Sequence, residues 1–110
     1  MAREEYIIRM LGANRLFQGY SALISCIRLA AEDENRLLSL ENDLYPCAAA
    51  ETGCSVSAMK HNMDTLIRHC WEKGPPESWG KLAGCPIRHC PSLGEFIELA
   101  TWYLRDHPQP

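Results

Sequence analysis

Ser57, Lys60, His61, Asp64, Thr65 and Arg68 recur at spacings of three and one, which aligns them along one face of an α-helix. The set combines two cationic donors, an imidazole, two hydroxyls and one carboxylate. Such groups suit hydrogen bonding to nucleobase edges and phosphates. Lys60 and His61 can reach guanine acceptors, Thr65 can contact base or phosphate, and Asp64 can only accept, for instance from a cytosine amine. Ser57 and Arg68 extend the face at its two ends, Ser57 as a phosphate contact. On the other side of the same helix, Met59, Met63, Leu66, Ile67, Cys70 and Trp71 form a stripe that packs inward.

Other chemistries fit less well. His69-Cys70 and His89-Cys90, with Cys85 four residues before His89, invite a zinc site. A structural zinc needs four converging ligands, usually from short Cys-x-x-Cys hooks, and the chain has no such hook. No metal or cofactor is expected, and the six cysteines read as small buried hydrophobes. There is no Gly-rich phosphate loop, no His-Glu-x-x-His and no Gly-x-Ser-x-Gly, so no enzymatic activity is expected. Trp71, Trp79 and Trp102 read as core or interface aromatics.

The elements that must position the six-residue face are helical nearly throughout, since no segment alternates as a half-buried strand does. Tyr6, Ile7, Met10 and Leu11 fit a first helix ended by Gly12. Leu16, Phe17, Tyr20, Leu23, Ile24, Ile27 and Leu29 predict a buried second helix reaching about Ala31. Asp33 is an expected N-cap, with Leu37, Leu38 and Leu40 on a third helix. Asn42 or Asp43 starts a fourth, with Pro46 in the first turn, where its missing amide has no partner. Gly53 suits a left-handed helix end. Ser55 caps the longest helix, which Gly74-Pro75-Pro76 stops near Lys73. A short helix over 78–83, a Pro- and Cys-containing loop and a last helix capped by Ser92 complete the chain. The predicted fold is an all-α compact bundle of about six to seven helices. Within it the fourth helix, the Gly53 turn and the fifth helix form a helix-turn-helix.

The 110 residues suit a single helical domain, expected over 1–106, with 107–110 a flexible tail. No run approaches the roughly 20 apolar residues of a membrane span. The first residues lack the apolar stretch of a secretory signal, so a cytoplasmic protein with no membrane partner is expected. The formal net charge of −3 runs against the basic balance of most DNA-binding domains. It is unevenly spread. Residues 32–51 carry six acids against Arg36, a local −5, whereas residues 55–92 sum to +2. A nucleic-acid face must lie in that second stretch or near Arg9 and Arg15.

In order and spacing the chain resembles the C-terminal effector domain of the sporulation master response regulator. Leu11-Gly12 and Gln18-Gly19-Tyr20 are similar to that family's approach to its long early helix, and Asp43-Leu44-Tyr45-Pro46 to its Leu-Tyr-Pro. Ser57 through Ile67 matches its recognition helix, and Trp71-Glu72-Lys73-Gly74 its Trp-x-x-Gly ending. Lys81-Leu82-Ala83-Gly84, Glu95-Phe96-Ile97 and Leu104-Arg105 resemble its last two helices. The resemblance implies an all-helical domain that binds promoter DNA through the second helix of its motif and tends to pair on tandem sites.

Three departures accompany the resemblance. The chain has no room for the family's phosphoacceptor domain. The loop from Gly84 to Glu95 is shorter and carries Cys85, His89 and Cys90. At the reading positions Lys60 stands for a glutamate, His61 and Asp64 for arginines, and Thr65 for a histidine. Each bidentate arginine–guanine pair contributes about 1–3 kcal/mol of discrimination, so the family's DNA target does not carry over. The expected function is a DNA-binding transcriptional regulator on double-stranded promoter DNA, with Ser57, Lys60, His61, Asp64, Thr65 and Arg68 as its surface. A homodimer, or a heterodimer with a related regulator, is the expected assembly. The alternative is a protein–protein interaction module that kept the fold and lost the DNA, an antagonist of an intact regulator.

Overall fold

The computed structural model describes residues 2–108, and six α-helices with no strand carry the fold among them. They are α1 (Arg3–Met10), α2 (Tyr20–Glu32), α3 (Tyr45–Thr52), α4 (Val56–Lys73), α5 (Pro76–Ala83) and α6 (Leu93–Asp106). A 3-10 turn, Glu34–Leu38, and a π-helical turn, Leu40–Leu44, connect α2 to α3. The chain thus forms the all-helical bundle that its periodicity predicts.

Helix α2 is the hub. It buries Tyr20, Ala22, Leu23, Cys26, Ile27, Leu29 and Ala30, apolar around most of its circumference as a central helix must be. Helices α1, α3, α4 and α6 all pack against it. Ile7, Leu44, Met63, Phe96 and Ile97 close the core around it. Full burial of a Leu, Ile, Met or Phe side chain stabilises by about 1.5–3 kcal/mol, so this cluster and not local propensity holds the short helices. Ser92 closes α6 with a full capping box: its hydroxyl accepts from the Glu95 amide at 3.2 Å, and Glu95 accepts from the Ser92 amide at 3.0 Å.

Beyond the later start of α3, at Tyr45 and not at Asn42 or Asp43, and the burial of only Cys26 and Cys70 among the six cysteines, three sequence expectations need correction. Helix α2 starts at Tyr20, not at Leu16. Asn14 accepts from the Leu16 amide at 2.8 Å through Oδ1, and its carbonyl accepts from the Phe17 amide, a side-chain-stabilised turn. Gly19 follows at φ 89, so turn chemistry outcompetes helix there and Leu16 is left 93% exposed. Second, Asp33 caps as expected, accepting from the Asn35 amide at 3.1 Å, but it opens a 3-10 turn and not an α-helix. Arg36 donates to the Leu29 carbonyl at 2.9 Å, folding the turn back on α2 and leaving Leu38 in solvent. Third, α5 starts at Pro76 and not at Ser78, because proline's fixed φ suits a first helical turn that needs no amide donor. Of the expected tail, His107 stacks on Tyr103 at 4.1 Å between ring centroids; residues 109 and 110 lie outside the described residues.

Candidate nucleic-acid interface

The helix-turn-helix is built by α3 and α4. Leu44, Tyr45, Ala48 and Ala49 bury one side of α3 and its approach, and the two alanines allow close packing on α2. Pro46 sits in the first turn of α3, as its sequence predicts. Gly53 ends the helix at φ 71, donating its amide to the Ala49 carbonyl at 2.9 Å, the left-handed termination that glycine adopts without strain. Two residues later Ser55 accepts the Ala58 amide at 3.1 Å and starts α4. The turn between the helices is therefore short and fixed at both ends.

Helix α4 is then held in rotation and translation. Met59, Met63, Leu66, Ile67 and Cys70 are buried, and Trp71 is half-buried, edge-on to Trp79 at 5.4 Å. Trp79 donates its indole N–H to the Cys70 carbonyl at 3.4 Å and packs on Phe96. Gly19 lies so close to the α4 backbone that a Cβ there would meet the Asn62 carbonyl oxygen at 2.6 Å. The thiols of Cys26 and Cys70 are pushed up by burial, to about 12 and about 11, which makes them core residues and not nucleophiles. Among the described residues no three His, Cys, Asp or Glu side chains converge as metal ligands.

The structure brings all six sequence-selected residues onto the outer side of α4. Ser57, His61, Thr65 and Arg68 are exposed, and Lys60 and Asp64 are half-buried. Their charges do not all point freely outward. Lys60 Nζ lies 2.5 Å from Glu41 Oε1 and 5.3 Å from the Tyr45 ring centroid. Arg68 Nη2 donates to Asp64 Oδ2 at 2.7 Å, one turn back on the same helix. The two cations nearest the reading positions each carry an internal counter-ion. Tyr45, beneath Lys60, has its hydroxyl pushed up to about 12, chiefly by burial.

Sequence reasoning missed four residues of this surface. Glu41 reaches Lys60 across 19 positions, and its only signal was membership of the acidic stretch before α3. Leu16 and Phe17, from the segment before α2, and His69 of α4 line a groove of about 290 Å³ together with His61, Asn62 and Thr65. Phe17 and His69 face each other at 4.8 Å between ring centroids. The apolar spacing of Leu16 and Phe17 points to the core; Phe17 does pack against it, half-buried, while the Asn14 turn leaves Leu16 in solvent.

A family profile described as the C-terminal region of the sporulation initiation factor Spo0A matches residues 5–104. The chain belongs to this family. The match spans α3, the Gly53 turn and α4 and reaches into α1 and α6, so it covers the site together with the core that positions it. The Spo0A C-terminal family comprises helical DNA-binding domains of a sporulation transcription regulator and is not an enzyme family. No individual curated protein matches the chain. Among the described residues no helix is long and apolar enough to cross a membrane.

Proposed function

We propose that this chain is a cytoplasmic DNA-binding transcriptional regulator whose α4 enters the major groove and reads a target different from that of its family. Residues 1–106 act as the single domain that carries this activity. The observation that supports the reading is the solvent-facing side of α4, with Ser57, His61, Thr65 and Arg68 exposed on one helix whose opposite stripe is locked into the core. In helix-turn-helix proteins the N-terminal half of that helix meets base edges. Ser57 contacts phosphate, His61 and Lys60 reach guanine acceptors, Thr65 contacts base or phosphate, Asp64 accepts from a cytosine amine and Arg68 binds the backbone.

A second reading draws on the pairing of Lys60 with Glu41 and of Arg68 with Asp64. A face whose cations are neutralised suits a protein partner, as a homodimer or as a heterodimer that antagonises an intact regulator. Selection of bound sequences from a random double-stranded pool at low salt separates the two. The DNA reading expects an enriched motif, binding that weakens with salt, and loss of affinity without loss of helicity in Lys60→Ala plus Arg68→Ala. Failure to enrich any motif refutes it in favour of the protein-interaction reading.

A further inference from the structure

We propose that Glu41 is a built-in competitor for the DNA-facing ammonium of Lys60, holding the place that a phosphate or base acceptor takes and so setting the affinity of the reading helix. The inference rests on the reading of α4 as the DNA-facing helix.

The geometry is a clamp across the helix-turn-helix. Glu41 comes from the π-helical turn Leu40–Leu44, upstream of α3, and Lys60 from the second turn of α4. That turn is not a loose loop. Leu44 is fully buried, Tyr45 nearly so, and the Asp43 amide donates to the Ser39 carbonyl at 2.9 Å. Leu40 packs against the core beside Gly94. A fixed backbone therefore presents the carboxylate to Lys60 from one side while the Tyr45 ring lies on another. The Glu41 side chain remains 64% exposed, so the pair can open without disturbing the fold.

Exchange thermodynamics give the clamp a measurable consequence. A lysine that neutralises one DNA phosphate releases about 0.9 of a condensed counterion, which makes binding salt-dependent. While Lys60 stays on Glu41 it neutralises no phosphate and releases no counterion; when it is drawn away, the freed carboxylate stays beside the duplex, where it repels phosphate. Both effects lower affinity, and the first flattens the salt dependence. Asp64 stands in the same relation to Arg68, but that pair lies within one helix and moves with it. Glu41 is the partner contributed by another element, and its charge can be removed without altering the reading face.

The test is fluorescence anisotropy with Glu41→Gln, on a random duplex and on duplexes selected by the wild type and by the variant. Circular dichroism of each protein keeps folding out of the comparison. Removing an exposed ion-pair partner is expected to tighten binding about 1.5- to fivefold, and to steepen the log–log salt slope by up to about 0.9. In a Lys60→Ala background the same substitution is expected to lose most of that gain. Glu34→Gln removes an equal charge from the Arg105 pair on α6 and is expected to leave the slope unchanged. DNA bound by Glu41→Gln and not by the wild type also supports the competitor. Equal affinity and slope in wild type and Glu41→Gln overturn it and leave the DNA reading standing, as does a gain that persists undiminished without Lys60. No DNA bound by either protein overturns both.

Discussion

Gly19→Ala is the substitution that most directly tests how α4 is held. Gly19 precedes α2 at φ 89, and a Cβ there would lie 2.6 Å from the Asn62 carbonyl oxygen, 2.8 Å from its carbon and 3.0 Å from the Met63 nitrogen. All three atoms belong to the α4 backbone, which cannot rotate away as a flexible side chain can. The left-handed conformation costs an alanine about 1–2 kcal/mol, and the steric overlap adds about 1–3 kcal/mol. The expected loss is about 2–5 kcal/mol from a total of about 5–15 kcal/mol. For a domain of this size that lowers the melting temperature by roughly 8–20 °C. Gly53→Ala is the matched control, because Gly53 has φ 71 and nothing within 4 Å of an added Cβ. It carries only the conformational cost of about 1–2 kcal/mol, and both variants share the gain from a stiffer unfolded chain. Thermal and urea unfolding followed by circular dichroism measure the difference, expected at about 1–3 kcal/mol. Faster hydrogen exchange at the Asn62 and Met63 amides is expected in the Gly19 variant alone. An equal loss in the two variants, or a larger one at Gly53, refutes the claim that close approach at Gly19 positions the reading helix.

Two further outcomes follow from the titrating groups. The Glu95 carboxyl is held below its ordinary 4.5 by the Ser92 backbone amide and then by the Ser92 hydroxyl; because the folded state depresses this group, its contribution is present above 4.5 and fades as pH falls through the folded value. Glu95→Gln is therefore expected to be less stable than wild type at neutral pH, with the gap closing on acidification, and a pH-independent gap in urea midpoints refutes this. A thiol reagent at mildly alkaline pH is expected to label the exposed Cys54 and Cys85 first and Cys26, whose thiol burial pushes up to about 12, only on unfolding; mass spectrometry showing early Cys26 labelling refutes its core placement.

The extent to which the chain was legible follows from the range of the interactions involved. The α4 stripe, the Ser55 and Ser92 caps and the Gly53 termination are local, separated by one to four residues, and sequence periodicity reports such features directly. The start of α2 is not legible because apolar spacing at Leu16 and Phe17 mimics a helix, while the Asn14 side chain and the positive φ of Gly19 decide otherwise. Leu37 and Leu38 read as a helix for the same reason, yet Leu38 is 87% exposed once the 3-10 turn folds back on α2. At the candidate site, the solvent-facing set on α4 is legible in the sequence but its electrostatics are not. Lys60 and Glu41 are 19 residues apart, and no periodicity connects them.

That missing link changes what the net charge means. A surplus of acids distributed at random over the surface would weaken attraction to DNA only through a distant, screened field, which decays over about 8–10 Å at ordinary salt. Here Glu41 and Asp64 sit within hydrogen-bonding distance of Lys60 and Arg68, the two cations of the proposed DNA face, well inside the screening length, so salt weakens their effect far less. On the DNA reading, the sequence-independent phosphate attraction that supplies most non-specific affinity is then small, while hydrogen bonds from His61 and Thr65 to base edges are untouched. Where such a face loses more phosphate than base contact, its ratio of specific to non-specific binding rises, and that ratio governs occupancy of one site among many competitors.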